Sequence, residues 1–374
     1  MRFLVAPDSY KGTLSAARAA EIVECALLAR FPDAVVGSVP LGDGGDGTMA
    51  ALGAAMHARW MCTEVTDPLG GRTLAAFALL RDDKVLAEMA QASGIMLVPP
   101  KYRNPFHTTS FGTGELLGAA QYYSNDLIMG IGGSATVDGG VGMARALGAS
   151  FWDASGREIV GGPREFRKIV DVDFGEHACR WHEGVSLRVM SDVNNPLVGS
   201  RGAAAVFGPQ KGASPADVEV LERSLAVLGD VLSEIAERDV ASLPGAGAAG
   251  GMGAMLVAML GARLLPGSEM ALDIVDFDAL VTDCDLVITG EGRLDSQSMG
   301  GKLPVTVARR ARALGVPAAV LPGFVEPGAG ETLGEEFDWI VPCFEDRPKE
   351  DPDSRTAEKA LFAAAQRLSI HLER

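Results

Sequence analysis

Positive charge is scarce in this chain: 33 lysines and arginines stand against 49 aspartates and glutamates, a formal net charge of −16. It lacks the cations that neutralise a phosphate backbone, which excludes nucleic-acid binding as its main role. Long apolar runs are missing as well. Glycine, proline and charge break them well short of the ~20 residues that cross a bilayer, and Met1 to Asp8 reads as a first strand rather than a signal peptide. A soluble cytoplasmic protein with no membrane partner is expected. Cysteines number five (Cys25, Cys62, Cys179, Cys284, Cys343), widely spaced and without a C-x-x-C pair, so they are read as reduced. The tightest cluster of metal-ligand residue types, His177, Cys179 and His182, fits no standard zinc spacing and reads as a solvated loop.

Several catalytic fingerprints are absent too. No G-x-x-x-x-G-K-[ST] occurs, which excludes an ordinary P-loop enzyme; GPQKGAS at 208–214 has the wrong order. Gly245, Gly247 and Gly250 match the dinucleotide fingerprint literally, but Pro244 precedes them and no apolar strand leads in. Without a G-x-S-x-G elbow, and with five scattered histidines, an α/β-hydrolase is excluded.

What the chain does have is glycine, 46 residues of it, clustered in LGDGGDGT, DPLGG, GIGGSATVDGG, GAGAAGGMG and ITGEGRLDSQSMGGK. No period links the clusters, so they are separate loops where backbone turns sharply or approaches something closely. With 47% hydrophobic and 22% charged residues a large core is available, and 374 residues suggest two domains.

The patterning predicts strands at 3–6 and 34–39 and helices at 15–30 and 48–56, the βαβα grammar of a parallel sheet. Three β-rich runs at 61–65, 73–80 and 84–88, with short connections, then form an antiparallel meander. Strands follow at 126–131 and 186–190, with helices at 215–237, started by Ser214-Pro215-Ala216-Asp217, and at 251–260. Parallel grammar returns with strands at 285–289, 318–321 and 339–341 and helices at 302–314 and 354–370. The expected plan is one discontinuous α/β domain, 1–59 with 284–374, carrying 60–283 as an insert.

Carboxylates and cations recur at the ends of these strands, where open parallel sheets place ligands: Asp8 and Lys11, Asp43 and Asp46, Asp192, then Glu291, Arg293 and Asp295. Singly each reads as a solvated loop residue or a helix cap. As a set beside glycine loops they match the needs of phosphoryl transfer: backbone N–H groups for phosphate, acids for Mg²⁺, cations for the transferred group. GIGGSATVDGG suits the first role with Gly132, Gly133, Ser134 and Thr136, although a tight strand-to-helix turn would also use glycine.

These stretches resemble the bacterial glycerate kinase family: APDSYKGTLSA at 6–16, PLGDGGDGT at 40–48, GIGGSATVDGG at 130–140, NPLVGSRGAAAVFGPQKGAS at 195–214, GAGAAGGMGA at 245–254 and DLVITGEGRLDSQSMGGKLP at 285–304. Asp46 and Val137 depart from the Glu and Asn usual there. The resemblance implies a kinase that uses ATP and Mg²⁺ to phosphorylate D-glycerate, on the 2-hydroxyl for this subgroup. It also implies a flavodoxin-like open parallel-sheet domain with a restriction-endonuclease-like α/β domain inserted into it and the active site in the cleft between them.

Within that frame, Lys11, Arg293, Lys211 and Lys302 are expected to supply local positive charge, with Arg293 bracketed by Glu291 and Asp295. Asp8, Asp43, Asp192 and Asp295 are candidates for base or metal ligand, with Asp192 or Asp295 favoured as base and Asp43, with Asp46, for Mg²⁺. Asp8, Ser9, Glu291 and Lys302 are the expected substrate contacts, and the 132–136 loop with Lys211 the expected ATP contacts, phosphate being preferred there over the glycerate carboxylate. A monomer or homodimer is expected. Competing readings are a kinase of the 3-hydroxyl or of another hydroxy acid, and a non-catalytic organic-acid sensor.

Overall fold

The computed structural model describes residues 1–10, 12–175, 184–295, 302–348 and 352–372; Lys11 and the His177, Cys179 and His182 cluster lie outside them. Strands β1 (Arg2–Val5) and β2 (Val35–Ser38) open the chain. There follow β3 (Arg59–Thr66), β4 (Arg72–Leu79), β5 (Lys84–Glu88), β6 (Asp126–Gly130), β7 (Ser150–Asp153), β8 (Ile169–Asp173), β9 (Ser186–Met190) and β10 (Arg263–Leu265). The last are β11 (Leu286–Thr289), β12 (Arg293–Leu294), β13 (Ala318–Val320), β14 (Phe324–Val325) and β15 (Trp339–Ile340). Two compact units result: Met1–Asp43, Ala50–His57 and Pro266–Arg374 form the first, Gly44–Met49 and Ala58–Leu265 the second.

The first unit is built on a five-stranded parallel sheet in the order β15-β13-β11-β1-β2, the flavodoxin-like order with its switch point at β1 and β11. Side chains alternate across it. Ala319 points into one core with Phe3, Val5, Ile288 and the helices Ala16–Arg30 and Ser354–Leu372, while Ala318 and Val320 point into another with Val305 and Ala308 of helix Leu303–Ala313. The first helix starts where a capping side chain is available: Ser15 Oγ accepts the Arg18 N–H at 3.2 Å. Its predicted apolar face, Ile22, Val23, Ala26 and Leu27, is buried.

Residues 266–283, placed with the insert on sequence grounds, group with the first unit. Arg310 of helix Leu303–Ala313 explains the grouping: its guanidinium reaches Asp273 at 2.7 Å and Asp278 at 2.6 Å, holding the helices Gly267–Ile274 and Phe277–Val281.

The second unit carries a six-stranded sheet in the order β10-β9-β6-β5-β4-β3. The meander β3-β4-β5 is antiparallel and the rest parallel, with Glu88, Gly130, Met190 and Leu265 in register at one end. Helix Pro215–Ile235 begins in a capping box between Ser214 and Asp217 and buries Leu221, Leu225, Leu228 and Leu232, an amphipathic stripe. Helix Ala248–Leu260 is buried all round, as its uniformly apolar sequence requires.

Candidate active site

In the first unit the chain leaving β1 is clasped on both sides. The Asp8 N–H donates to the Gly290 carbonyl at 2.8 Å, and the Leu41 N–H to the Pro7 carbonyl at 3.0 Å. The ends of β1 and β11 thereby open a cavity of about 340 Å³ at the switch point, lined by Asp8, Ser9, Tyr10, Asp43, Glu291, Arg293 and Lys302 among others. Six residues singled out from sequence therefore share one cavity. Asp295 is only 3% exposed and accepts from Arg293 Nη2 and from Lys302 Nζ, both at 2.9 Å.

Arg293 is aimed by backbone as well as by charge. β12 pairs with β14 so that Arg293 lies opposite Phe324. The Gly323 N–H donates to the Glu291 carbonyl at 2.9 Å. The second carboxylate recorded on its guanidinium is Glu326, at 3.4 Å; sequence reasoning missed Glu326 because the partnership depends on a loop some thirty residues away.

Tyr10 was not anticipated either. Its hydroxyl donates to the Leu321 carbonyl at 2.5 Å. Burial foremost, then Cys343, Glu291 and Asp8, push its pKa well above the ordinary value, so it stays a neutral donor. A Cβ on Gly290 would lie 2.3 Å from that hydroxyl, which is why glycine stands there. Burial also pushes the Cys343 thiol up to about 12, with Arg367 opposing, so Cys343 is a wall residue and no nucleophile.

In the second unit the C-terminal sheet edge carries Glu88, the 130–138 loop and, two residues past β9, the half-buried Asp192. The loop at 44–47 folds onto this edge. Gly132 donates its N–H to the Gly44 carbonyl at 2.9 Å, and a Cβ on Gly132 would come within 2.5 Å of the Gly45 Cα. The glycines here serve backbone-to-backbone approach, and the Gly132 N–H expected for phosphate is committed inside the protein. Gly133 lies at φ 72° with its Cβ position 3.3 Å from the Asp46 Cβ, and Asp46 itself is exposed.

Lys211, expected to meet ATP, is 2% exposed. Its ammonium donates to Ser134 Oγ and to the Thr136 carbonyl, both at 2.6 Å, and burial lowers its pKa to about 7 against the opposing charge of Asp138. Lys211 thus braces the 134–136 loop from beneath. Asp138, unremarked in the sequence, accepts from the Ser110 N–H at 2.9 Å and the Ser110 hydroxyl at 2.7 Å. Thr136 Oγ1 is buried with no hydrogen-bond partner among the described residues.

Glu88 is a further residue that sequence reading missed; a carboxylate closing a strand of a meander gives only a weak signal. It is 1% exposed, accepts the Met49 N–H at 3.4 Å, and has one oxygen without a partner among the described residues. Burial first, then Asp46, push its pKa up to about 7. The folded protein therefore holds a proton that the unfolded chain releases near the ordinary value of 4.5, and stability falls as pH rises from there to 7. At roughly 1.4 kcal/mol per unit, Glu88→Gln should be the more stable protein at pH 8 by about 3 kcal/mol and equal to the parent at pH 4. Denaturant unfolding at the two pH values checks this, and an unchanged pH slope would show the carboxyl to be solvated.

Among the described residues no group of three or more His, Cys, Asp or Glu side chains is arranged to hold a metal ion. No helix among them is long and apolar enough to cross a membrane.

The model of the Glycerate kinase family matches residues 3–372. Glycerate 2-kinase of Escherichia coli is 45% identical over 332 residues, covering 88% of this chain and 87% of the relative. Glycerate kinase of Haemophilus influenzae is 39% identical over 371 residues, 99% of this chain and 98% of the relative. A crystal structure of a protein designated glycerate kinase 2 from Salmonella typhimurium LT2 superposes with a TM-score of 0.85 at 39% identity, covering 100% of this chain and 98% of that one.

Proposed function

We propose, on the premise that the chain belongs to the glycerate kinase family, that it transfers the γ-phosphoryl group of ATP to the 2-hydroxyl of D-glycerate, giving 2-phosphoglycerate and ADP. The observation that carries this is the cavity at the β1/β11 switch point, where Asp295 holds two cations beside Asp8, Asp43 and Glu291. Phosphoryl transfer passes through a loose transition state, so positioning and charge stabilisation do most of the work.

Arg293 and Lys302 balance negative charge on the transferring group. Asp295, engaged by both, positions them. Asp8, Ser9 and Glu291 accept or donate to hydroxyl groups of the bound molecule. The cavity fits Mg²⁺ in its donor chemistry: hard carboxylate oxygens of Asp43 and Asp8, without a full cage among the described residues, suit an ion that keeps waters and shares substrate phosphates. When bound, the ion neutralises phosphate charge. In the second unit, Asp46 stands exposed at its loop tip. Ser134, with Lys211 behind it, is offered to an anionic oxygen, which both ATP and glycerate carry.

Incubation with D-glycerate, ATP and Mg²⁺, read by ³¹P NMR, tests the reading. A phosphoester on the secondary carbon is expected. One on the primary carbon would overturn the choice of hydroxyl, and none, with a folded sample, would favour the sensor.

A further inference from the structure

We propose that the cavity at the β1/β11 switch point holds the purine nucleoside of ATP, stacked on a wall made by Phe324 and Phe344. This deepens the kinase reading and rests on it. The cavity lining is of two kinds. Asp8, Glu291, Arg293 and Lys302 are polar; Phe324, Phe344 and Pro348, with Arg347, bring apolar surface to the same space. D-glycerate is oxygen-bearing at every carbon and has no flat apolar face to present to two phenyl rings. At about 340 Å³ the space also belongs to the range that encloses larger ligands, roughly 300–1,000 Å³. A purine nucleotide matches both kinds of lining, with a flat base, ribose hydroxyls and an anionic tail.

Backbone bonds build the wall rather than leaving it to loose loops. Phe324 is fixed by strand pairing opposite Arg293, so the ring and the cation are set by the same pair of strands. The Phe344 N–H donates to the Gly323 carbonyl at 2.9 Å, and the Cys343 N–H to the Pro322 carbonyl at 2.7 Å. Both rings remain half-buried. The exposed Arg347 guanidinium lies 5.7 Å from the Phe324 ring centroid, within the range where a cation and an aromatic face attract. Aromatic and guanidinium planes of this kind hold bases by stacking.

The test uses the full-length protein with Phe344→Ala and, as a variant that keeps bulk but loses the flat face, Phe344→Leu. Titration calorimetry with ADP, and separately with inorganic tripolyphosphate, reads the nucleoside apart from the phosphates. ADP affinity should fall tenfold or more in both variants while tripolyphosphate binding stays within threefold. The KM for ATP should rise in step, and the KM for glycerate should hold. Unchanged ADP affinity in folded variants overturns the proposal, as does a glycerate KM that rises instead. Because calorimetry needs no turnover, failure of the glycerate reaction itself would leave this result readable on its own.

Discussion

Asp295→Asn should lower kcat by about two to three orders of magnitude while leaving the protein folded. The substitution keeps the shape and removes the charge that both Arg293 Nη2 and Lys302 Nζ approach at 2.9 Å. Two cations would then face an amide that can accept from only one side and donates from the other, so each would relax away from its catalytic position. Arg293 is half exposed and also meets Glu326, and the arginine would swing toward that carboxylate. Losses of this kind fall on kcat more than on KM, since the interaction strengthens as charge develops on the transferring group. Steady-state kinetics with a thermal melt as control check it; a fall of less than tenfold would remove Asp295 from the machinery.

Gly250→Ala should destabilise the second unit by about 3 kcal/mol or more. Three consecutive residues, Ala249, Gly250 and Gly251, lie at φ 54°, 69° and 96° at the start of the buried helix. Dihedral cost is the smaller part, because Ala249 already bears it. Space decides: a Cβ at Gly250 would lie 2.0 Å from the Thr136 carbonyl oxygen and 2.7 Å from the Val137 Cα, and backbone cannot step aside as a side chain can. The Gly250 carbonyl also accepts the Gly139 N–H at 3.0 Å, so the two loops would be driven apart together. Since the Thr136 carbonyl is one of the two oxygens that hold the Lys211 ammonium, the damage should reach the 134–136 loop. Chemical unfolding measures the loss, and a change below about 1 kcal/mol would mean that the packing relaxes easily.

Local order was legible because it is written in short-range patterns. Alternation and turn residues at 61–88 specify a meander, and the structure has it at β3, β4 and β5. Ser214 and Asp217 mark a helix start that the capping box realises. The clustering of Asp8, Asp43, Glu291 and Arg293 could be anticipated from their places just past predicted strands, since a parallel sheet collects such ends along one edge.

What escaped the sequence depends on residues far apart in the chain. Glycine clusters announce close approach without saying to what; only the fold shows Gly132 against Gly45 and Gly250 against Thr136. Lys211 reads from its motif as a cation for ATP, and the fold buries it as a brace beneath the 134–136 loop. Glu88 gained its raised pKa from burial and from Asp46, forty-two residues earlier in sequence. Sequence alone determined the family, the elements with clear periodicity and the residue types at their strand ends, because these rest on local composition and spacing. Which of those residues face a cavity, which are sealed beneath a loop, and which carboxylate meets which cation were decided by tertiary structure, because desolvation and Coulomb attraction act across space and not along the chain.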